Sequence, residues 1–175
     1  MLEVGCEHGA GGADDTGLTD EETRTHFAAW CIVSSPLILS LDVTNSTLMD
    51  KVWPVISNKE ALAVNQAWAN FSGSSFLEGA EKVHFKGSEG ALAVGAWQYW
   101  NKPVGGGKIA VLLMNHASTS ATLTLTFNTV PGIPAGTTNV AVRDIWAQQD
   151  VGVKANSYTV TLNSHDAAFL MLTPQ

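Results

Sequence analysis

The chain has 175 residues, of which 45% are hydrophobic and only 14% are charged, so its length fits one ordinary domain or a small domain joined to part of another. This composition is apolar enough for a packed core and argues against intrinsic disorder. The formal net charge is −7, and the nine Lys and Arg residues are scattered singly, which excludes a basic patch for nucleic acid or for an anionic membrane surface. No apolar run approaches the roughly 20 residues of a membrane helix.

The first predicted elements are a strand, a loop and a helix. Residues 1–5 are typical of the end of a strand, and a chain that starts inside a strand is expected to be part of a larger protein. Residues 6–17 are rich in Gly, Ala and Asp and indicate a long loop. Thr19 and Glu22 form a capping-box pattern that starts a helix, and Pro36 ends it.

A short apolar run and a second helical stretch follow. Residues 37–41 are apolar, which favours a strand buried on both faces in a parallel sheet. Residues 44–65 are predicted to be helical, with a break at Pro54 because proline cannot donate a backbone hydrogen bond. The order strand, helix, strand, helix indicates an α/β segment over residues 1–69, although two strands are too few for a stable parallel sheet.

The pattern changes near residue 70. Residues 70–80 are rich in Ser and Gly and are predicted to be a linker. Beyond them, short runs with a period of two are separated by Gly and Pro turns, which indicates an antiparallel β sandwich or barrel over residues 81–175. The predicted strands are Lys82–Lys86, Ala91–Trp100, Lys108–Asn115, Ala121–Phe127, Asn139–Trp146, Tyr158–Leu162 and Ala167–Leu172.

Cysteines and histidines offer weak candidates for a metal site or a disulfide. Cys6, His8, His26 and Cys31 include two types of zinc ligand, but their spacing matches no zinc signature. Cys31 is expected on the apolar side of its helix, as a small buried hydrophobe. A disulfide between Cys6 and Cys31 is a further hypothesis, and the alternative is that both cysteines are free thiols.

Two N-glycosylation sequons begin at Asn45 and Asn70. They matter only if the protein follows the secretory route of a eukaryote. Because such tripeptides often arise by chance, they are weak indications of that route.

Two groups of residues resemble catalytic constellations. The run Ser164–Asp166 contains Ser, His and Asp side by side, but a catalytic triad needs these groups to converge in space, so a polar turn is the better interpretation. Asp14 and Asp15 could act as glycosidase carboxyls, but a Gly-rich loop is a poor platform for groups that need a fixed separation. The acids of Asp20–Glu22 are explained by helix capping and by the helix dipole.

Aromatic residues could form a sugar-stacking platform on one predicted strand. Trp97 and Tyr99 share one face of that strand, and Trp100 lies on the other. Packing of one face in the core is the better interpretation, and a carbohydrate-binding or purely structural β module is kept as the alternative.

Several segments of the sequence, taken in chain order, resemble glycoside hydrolase family 27, the α-galactosidases or melibiases. The resemblance covers nearly the whole chain, but no single motif in it is decisive. The matching segments are Met1–Gly5, Leu18–Glu22, Phe27–Trp30, Ser35–Asp42, Ile56–Gln66, Trp100–Pro103, Ile109–Asn115, Val142–Trp146 and His165–Leu170. Cys6 departs from the family, where Asn is usual, and so does the acidic Gly-rich loop after it.

The resemblance implies a fold. Members of this family have a (β/α)₈ TIM barrel followed by an antiparallel β-sandwich domain. Residues 1–69 would then be the C-terminal remnant of the barrel, with its last two strands and helices, residues 70–80 the linker, and residues 81–175 the sandwich. Active sites of such barrels lie at the C-terminal ends of the strands, so residues 6–17 would lie on that rim.

The resemblance also implies an activity. The parent protein would be a retaining α-galactosidase that hydrolyses terminal α-linked galactose from oligosaccharides or glycolipids, with no cofactor, and would be secreted or lysosomal or vacuolar. Its two catalytic Asp residues precede this chain, which therefore has no catalytic residue and is expected to be inactive alone. Met1 aligns with a sugar-contacting Met and is the one substrate-binding residue implied here. An α-N-acetylgalactosaminidase fragment is a further alternative, and the sequence gives no oligomeric state.

Overall fold

The structure, a computed structural model, describes residues 2–6, 17–85 and 92–175. Met1, His8, Asp14 and Asp15 lie outside these residues, so the hypotheses that concern them stay predictions. Of the helices in the described ranges, none is long and apolar enough to cross a bilayer.

Within the part of the chain that the structure describes, three helices precede the β domain, and each begins at a side-chain cap. They are α1 (Asp20–Ile32), α2 (Ser46–Ile56) and α3 (Lys59–Gln66). The predicted capping box of α1 is confirmed: Glu22 N donates to Thr19 Oγ1 at 3.2 Å, and Thr19 N donates to Glu22 Oε2 at 2.9 Å. Asn45 and Asn58 cap α2 and α3 with their side-chain oxygens.

The predicted break at Pro54 is wrong. Helix α2 runs through Pro54 to Ile56, and the chain breaks only at Ser57 and Asn58. Pro54 lies in the last turn of α2, so its missing N–H removes a single hydrogen bond near a helix end. The break is therefore set by the cap residue Asn58, which starts a new helix, and not by the proline.

The described residues after α3 contain ten strands, and the predicted antiparallel β domain is confirmed. Their bounds are β1 Ser74–Glu78, β2 Lys82–Phe85, β3 Leu92–Gly95, β4 Trp97–Gly105, β5 Lys108–Asn115, β6 Ala121–Thr126, β7 Asn139–Asp144, β8 Gln149–Ala155, β9 Ser157–Leu162 and β10 Ala167–Pro174. An antiparallel sheet has the order β1-β4-β5-β10-β7-β8, and β2-β3 and β6-β9 are two-stranded. A short 3₁₀ turn, Phe127–Thr129, follows β6.

The pair β6-β9 covers one face of the six-stranded sheet. Leu123 and Leu125 point into that core, where they join Val111 and Leu170, while the threonines of β6 face solvent. Thr122 and Thr124 hydrogen-bond Thr161 and Thr159 across the pair, each at 2.9 Å. The wet and dry alternation predicted for β6 is thereby confirmed, and cross-strand Thr pairs stabilise the exposed face.

The helices cover the other face of the same sheet. Phe27, Cys31 and Ile32 of α1 pack in one cluster with Leu112 of β5 and Phe169 of β10. This explains why every residue of β5 after Lys108 is buried, which is unusual for an antiparallel strand. The predicted division of the chain near residues 70–80 therefore runs through a continuous apolar core.

Three predictions about strands need correction. The stretch 70–80 is not a free linker, because β1 lies within it and pairs with β4. The predicted strand 37–41 is reduced to one parallel bridge between Leu2 and Leu39, since each segment has the other as its only strand partner among the described residues. Strand β8 was missed because its exposed, Gly-containing sequence lacks alternation.

Candidate functional site

A cleft lies where the parallel-bridged segments end, and we call it the strand-end cleft. Its volume is about 290 Å³, and it is lined by Gly5, Cys6, Ser40, Leu41, Asp42, Asn45 and Leu48. Gly5 has φ +74, and a Cβ there would meet Leu41 Cδ2 at 3.1 Å. Glycine is thus required both for the turn and for the close approach of the two segments.

Hydrogen bonds fix the two segments beside the cleft. Leu2 N donates to Ile38 O at 2.9 Å, and the Ser40 hydroxyl donates to Leu2 O. Cys6 Sγ lies 3.3 Å from Ser40 Oγ. Ser40 therefore links the two chain segments beside the cleft. No pattern in the sequence predicts this role, because serine is common in loops.

Asp42 is the single carboxylate that lines the described part of this cleft. Its Oδ1 accepts from Thr44 N at 2.9 Å and from Thr44 Oγ1 at 2.7 Å. These hydrogen bonds, led by the hydroxyl, lower the pKa of Asp42, because they stabilise the charged form. Asp42 is therefore an ionised turn-forming residue rather than a proton donor.

The cleft does not contain the chemistry of glycoside hydrolysis in its described part. A retaining glycosidase needs two carboxyls about 5–5.5 Å apart, and Asp42 has no such partner among the described lining residues. Nor do any three His, Cys, Asp or Glu side chains within the described ranges come together to hold a metal ion. The described lining of the cleft thus contains one carboxylate and no carboxyl pair.

The structure does not pair the two cysteines. Both are free thiols, with Cys6 at the cleft and Cys31 fully buried in the helix-side core, as predicted for Cys31. Burial raises the pKa of the Cys31 thiol to about 12, so it is inert at neutral pH. A disulfide would require the Cys31 side chain to leave that core.

His26 has a different role from that of a metal ligand. Its Nε2 accepts from Glu3 N at 3.1 Å, and its ring lies 5.7 Å from that of Trp30. Burial lowers the pKa of His26. The neutral imidazole therefore ties α1 to the segment that leads into the cleft.

Ser164–Asp166 forms no catalytic triad. Asp166 Oδ1 accepts from Arg24 Nη2 at 3.1 Å, and the His165 carbonyl accepts from Thr25 Oγ1 at 2.8 Å. His165 has φ +56, as expected in a tight turn. These groups bind the β9-β10 turn to α1, which agrees with the interpretation as a polar turn.

The aromatics of β4 are packed rather than presented. Tyr99 is buried in the sandwich core beside Trp97, with their ring centroids 4.6 Å apart. Trp100 packs against the helix-side core, and Gly79 lies against the indole of Trp97. Both faces of β4 are thus used for packing, and no sugar-stacking platform remains on it.

Comparisons with known proteins agree with this arrangement. Residues 94–172 match the family model described as the α-galactosidase C-terminal β-sandwich domain. Alpha-galactosidase 3 of Arabidopsis thaliana is 32% identical over 176 aligned residues, which cover 100% of this chain and 35% of that protein. The chain thus spans about a third of the length of this curated relative.

Solved structures show the same fold. The α-galactosidase of Saccharomyces cerevisiae, solved with raffinose, superimposes with a TM-score of 0.76 at 20% identity, over 99% of this chain and 46% of that one. A family 27 β-L-arabinopyranosidase from Geobacillus stearothermophilus gives a TM-score of 0.71 at 19% identity, over 92% of this chain and 32% of that one. At such identities the likeness concerns the fold alone. Residues 94–172 therefore belong to the family of α-galactosidase C-terminal β-sandwich domains, and the chain as a whole is similar to α-galactosidases along its own length.

Proposed function

We propose that this chain is the C-terminal part of a retaining α-galactosidase that releases terminal α-linked galactose from oligosaccharides or glycolipids. The observation that carries the proposal is the match of the whole chain to plant α-galactosidases. The chain alone is then inactive, because its described residues offer no carboxylate pair at the strand-end cleft.

We further propose that residues 2–4 and 37–41 are strands seven and eight of a (β/α)₈ barrel. Their parallel bridge supports this, since neighbouring strands of such a barrel are parallel. Ile38 and Leu39 are 55% and 39% exposed, and adjacent strand residues face opposite sides. Both sides of the segment are thus open to solvent at Ile38 and Leu39, whereas Leu37 and Leu41 pack against the helix-side core. Apolar side chains exposed on both sides support a place for this segment inside a larger sheet.

Secretion, or delivery to a lysosome or vacuole, is part of the same proposal. Asn70 is exposed, with φ +70, and is the better of the two glycosylation acceptors. Asn45 is partly buried, and its Oδ1 caps α2 by accepting from Leu48 N at 3.1 Å. A glycosidase-sensitive mass shift that Asn70→Gln removes and Asn45→Gln leaves is the expected result in a eukaryotic host.

The decisive experiment is to sequence the coding region upstream of the Met1 codon, express the longest product and assay it with the 175-residue chain. We expect the long product alone to hydrolyse p-nitrophenyl α-D-galactoside, with retention of the anomer, and to prefer it to the α-N-acetylgalactosaminide. A preference for the latter would favour the N-acetylgalactosaminidase alternative. Turnover by the short chain that survives replacement of Asp14 and Asp15 would refute the proposal.

The alternative of a carbohydrate-binding β module predicts binding by the chain itself. Because Trp97 and Trp100 are packed, we expect galactose to leave their indole NMR signals unmoved. Saturable shifts of both signals would support the binding module instead.

A further inference from the structure

Lys102 on β4 is a charged residue in the middle of the helix-side packing. It is 0% exposed, and it forms no ion pair with a described carboxylate. Its Nζ donates to Ser34 Oγ at 2.7 Å, to Val64 O, and to Asn65 O at 3.1 Å. An ammonium group has three N–H donors, so these three acceptors satisfy it completely, which is what burial of a cation requires.

Two of these acceptors belong to the end of α3. Val64 and Asn65 are among the last residues of that helix, whose final carbonyls have no partner within it. The C-terminal end of a helix also carries a partial negative charge. Lys102 therefore caps α3 from the sheet, across 37 residues of sequence or more.

The third acceptor belongs to the end of α1. Ser34 has φ +59, in the left-handed region where helices commonly end at glycine. Ser34 N donates to Cys31 O at 3.3 Å, and Ser35 N donates to Trp30 O at 3.1 Å. Serine is thus in a conformation that favours glycine, and its hydroxyl provides what glycine lacks, an acceptor for Lys102.

Further groups converge on the same place. Asn65 Nδ2 donates to Ser35 O at 2.9 Å and to Trp30 O at 3.3 Å, and Gly73 N donates to Ile32 O at 2.8 Å. A Cβ on Gly73 would lie 2.3 Å from Ile32 O, so no other residue fits there. We call Ser34, Asn65, Gly73 and Lys102 the helix-end cluster.

The chain turns at this cluster from α1 into residues 37–42, whose far end contributes Ser40 and Asp42 to the strand-end cleft. We propose that Lys102 is a positioning residue: by fixing the ends of α1 and α3 on the β domain, it sets the position of that cleft. The relevance to catalysis rests on the proposed function, but the positioning itself is a property of this chain and can be tested without any activity.

Cys6 provides a remote reporter, because its thiol lies 3.3 Å from Ser40 Oγ at the cleft, whereas Cys31 is buried. The rate at which Cys6 of the native chain reacts with a disulfide reagent such as DTNB then reports whether its contact with Ser40 is kept. Lys102→Met keeps the length and apolar stem of the side chain and removes its donors. We expect it to raise the Cys6 rate at least about tenfold, because that factor corresponds to one lost hydrogen bond to a charged group and this variant loses three.

Two controls separate positioning from general loss of stability. Leu125→Ala weakens the opposite core, which contains no residue of the cluster, and Lys108→Met removes an exposed lysine of the same sheet. Rates are compared in urea concentrations that leave each variant with the same free energy of unfolding. A Leu125→Ala rate equal to that of Lys102→Met under these conditions would overturn the proposal.

Ser34→Gly covers the case in which Lys102→Met does not fold. Glycine suits the left-handed backbone of residue 34, so the fold is kept, while Lys102 loses one of its three acceptors. We expect an increase in the Cys6 rate with a smaller loss of stability than in Lys102→Met, because the relaxed backbone of residue 34 offsets part of the cost of the lost acceptor. An unchanged Cys6 rate in Ser34→Gly would count against positioning through this cluster.

Discussion

Asn58 offers the sharpest test of whether the helices and the β domain form one cooperative unit. Its side chain is 2% exposed, and its Oδ1 accepts from Glu60 N at 3.0 Å and Ala61 N at 3.1 Å, which caps α3. Its Nδ2 donates to the carbonyl of Ile145, 87 residues away at the end of β7, at 2.8 Å. A single amide thus satisfies a helix start and a buried carbonyl of the β domain.

The cost of Asn58→Ala follows from these three hydrogen bonds. Loss of an N-cap costs about 1 kcal/mol, and a buried carbonyl left without its partner costs about 1–3 kcal/mol more. We therefore expect a loss of about 2–4 kcal/mol in the free energy of unfolding. Asn45→Ala is the matched control, because Asn45 also caps a helix but makes no side-chain bond to the β domain; it should cost about 1 kcal/mol.

Urea unfolding followed by far-UV circular dichroism and by tryptophan fluorescence measures both variants. With a slope of about 2 kcal/mol per molar urea, the midpoint of Asn58→Ala should fall by about 1–2 M, and the two probes should change together. Equal destabilisation by Asn58→Ala and Asn45→Ala would mean that the bond to Ile145 contributes nothing. Two separate transitions in the wild-type chain would refute the single unit itself.

Two further predictions concern charged groups. Burial lowers the pKa of His26 below 6.5, so the unfolded chain takes up the proton first as the pH falls, and the free energy of unfolding should decrease below about pH 6.5. His26→Gln, whose side-chain oxygen can still accept from Glu3 N, should make this decrease shallower. An unchanged pH dependence of stability in His26→Gln would contradict the assignment to His26. Arg143 donates to Glu60 from Nε at 2.9 Å and Nη2 at 2.6 Å, and from Nη1 to Asp150 at 2.9 Å. Arg143→Lys keeps the charge but loses the planar fork of donors. Its melting temperature should therefore be lower than that of the wild type and should change less with salt concentration. An equal melting temperature would count against a stabilising role of the fork.

Local signals in the sequence were sufficient for much of the fold. The capping box at Thr19 and the alternation of β6 depend on neighbouring residues, and the structure contains both. Strand β8 and the strand within 70–80 carry no such signal, because they are edge strands whose side chains are largely exposed. An edge strand is recognised by the partner it pairs with, β4 for β1 and β7 for β8, and such a pairing is seen only in the folded sheet.

The candidate site was less accessible from the sequence for the same reason. The order of segments led to the family and hence to a cleft at the strand ends, but Ser40 and Lys102 have no local pattern. Their roles arise where residues from both halves of the chain meet, as Lys102 Nζ does with Ser34, Val64 and Asn65. Pairings of this kind depend on the folded topology.

The position of α1 explains why the β domain matters to the cleft. One cluster contains Leu2 and Val4 from the cleft side, Phe27 from α1, and Leu112 and Phe169 from the sheet. Helix α1 is therefore packed between the segment that ends at the cleft and the β domain. Because packed interiors do not deform continuously, a shift of the sheet must move α1 or open a void, and a shift of α1 must move Leu2 and Val4. The β domain thus belongs to the structural support of the cleft.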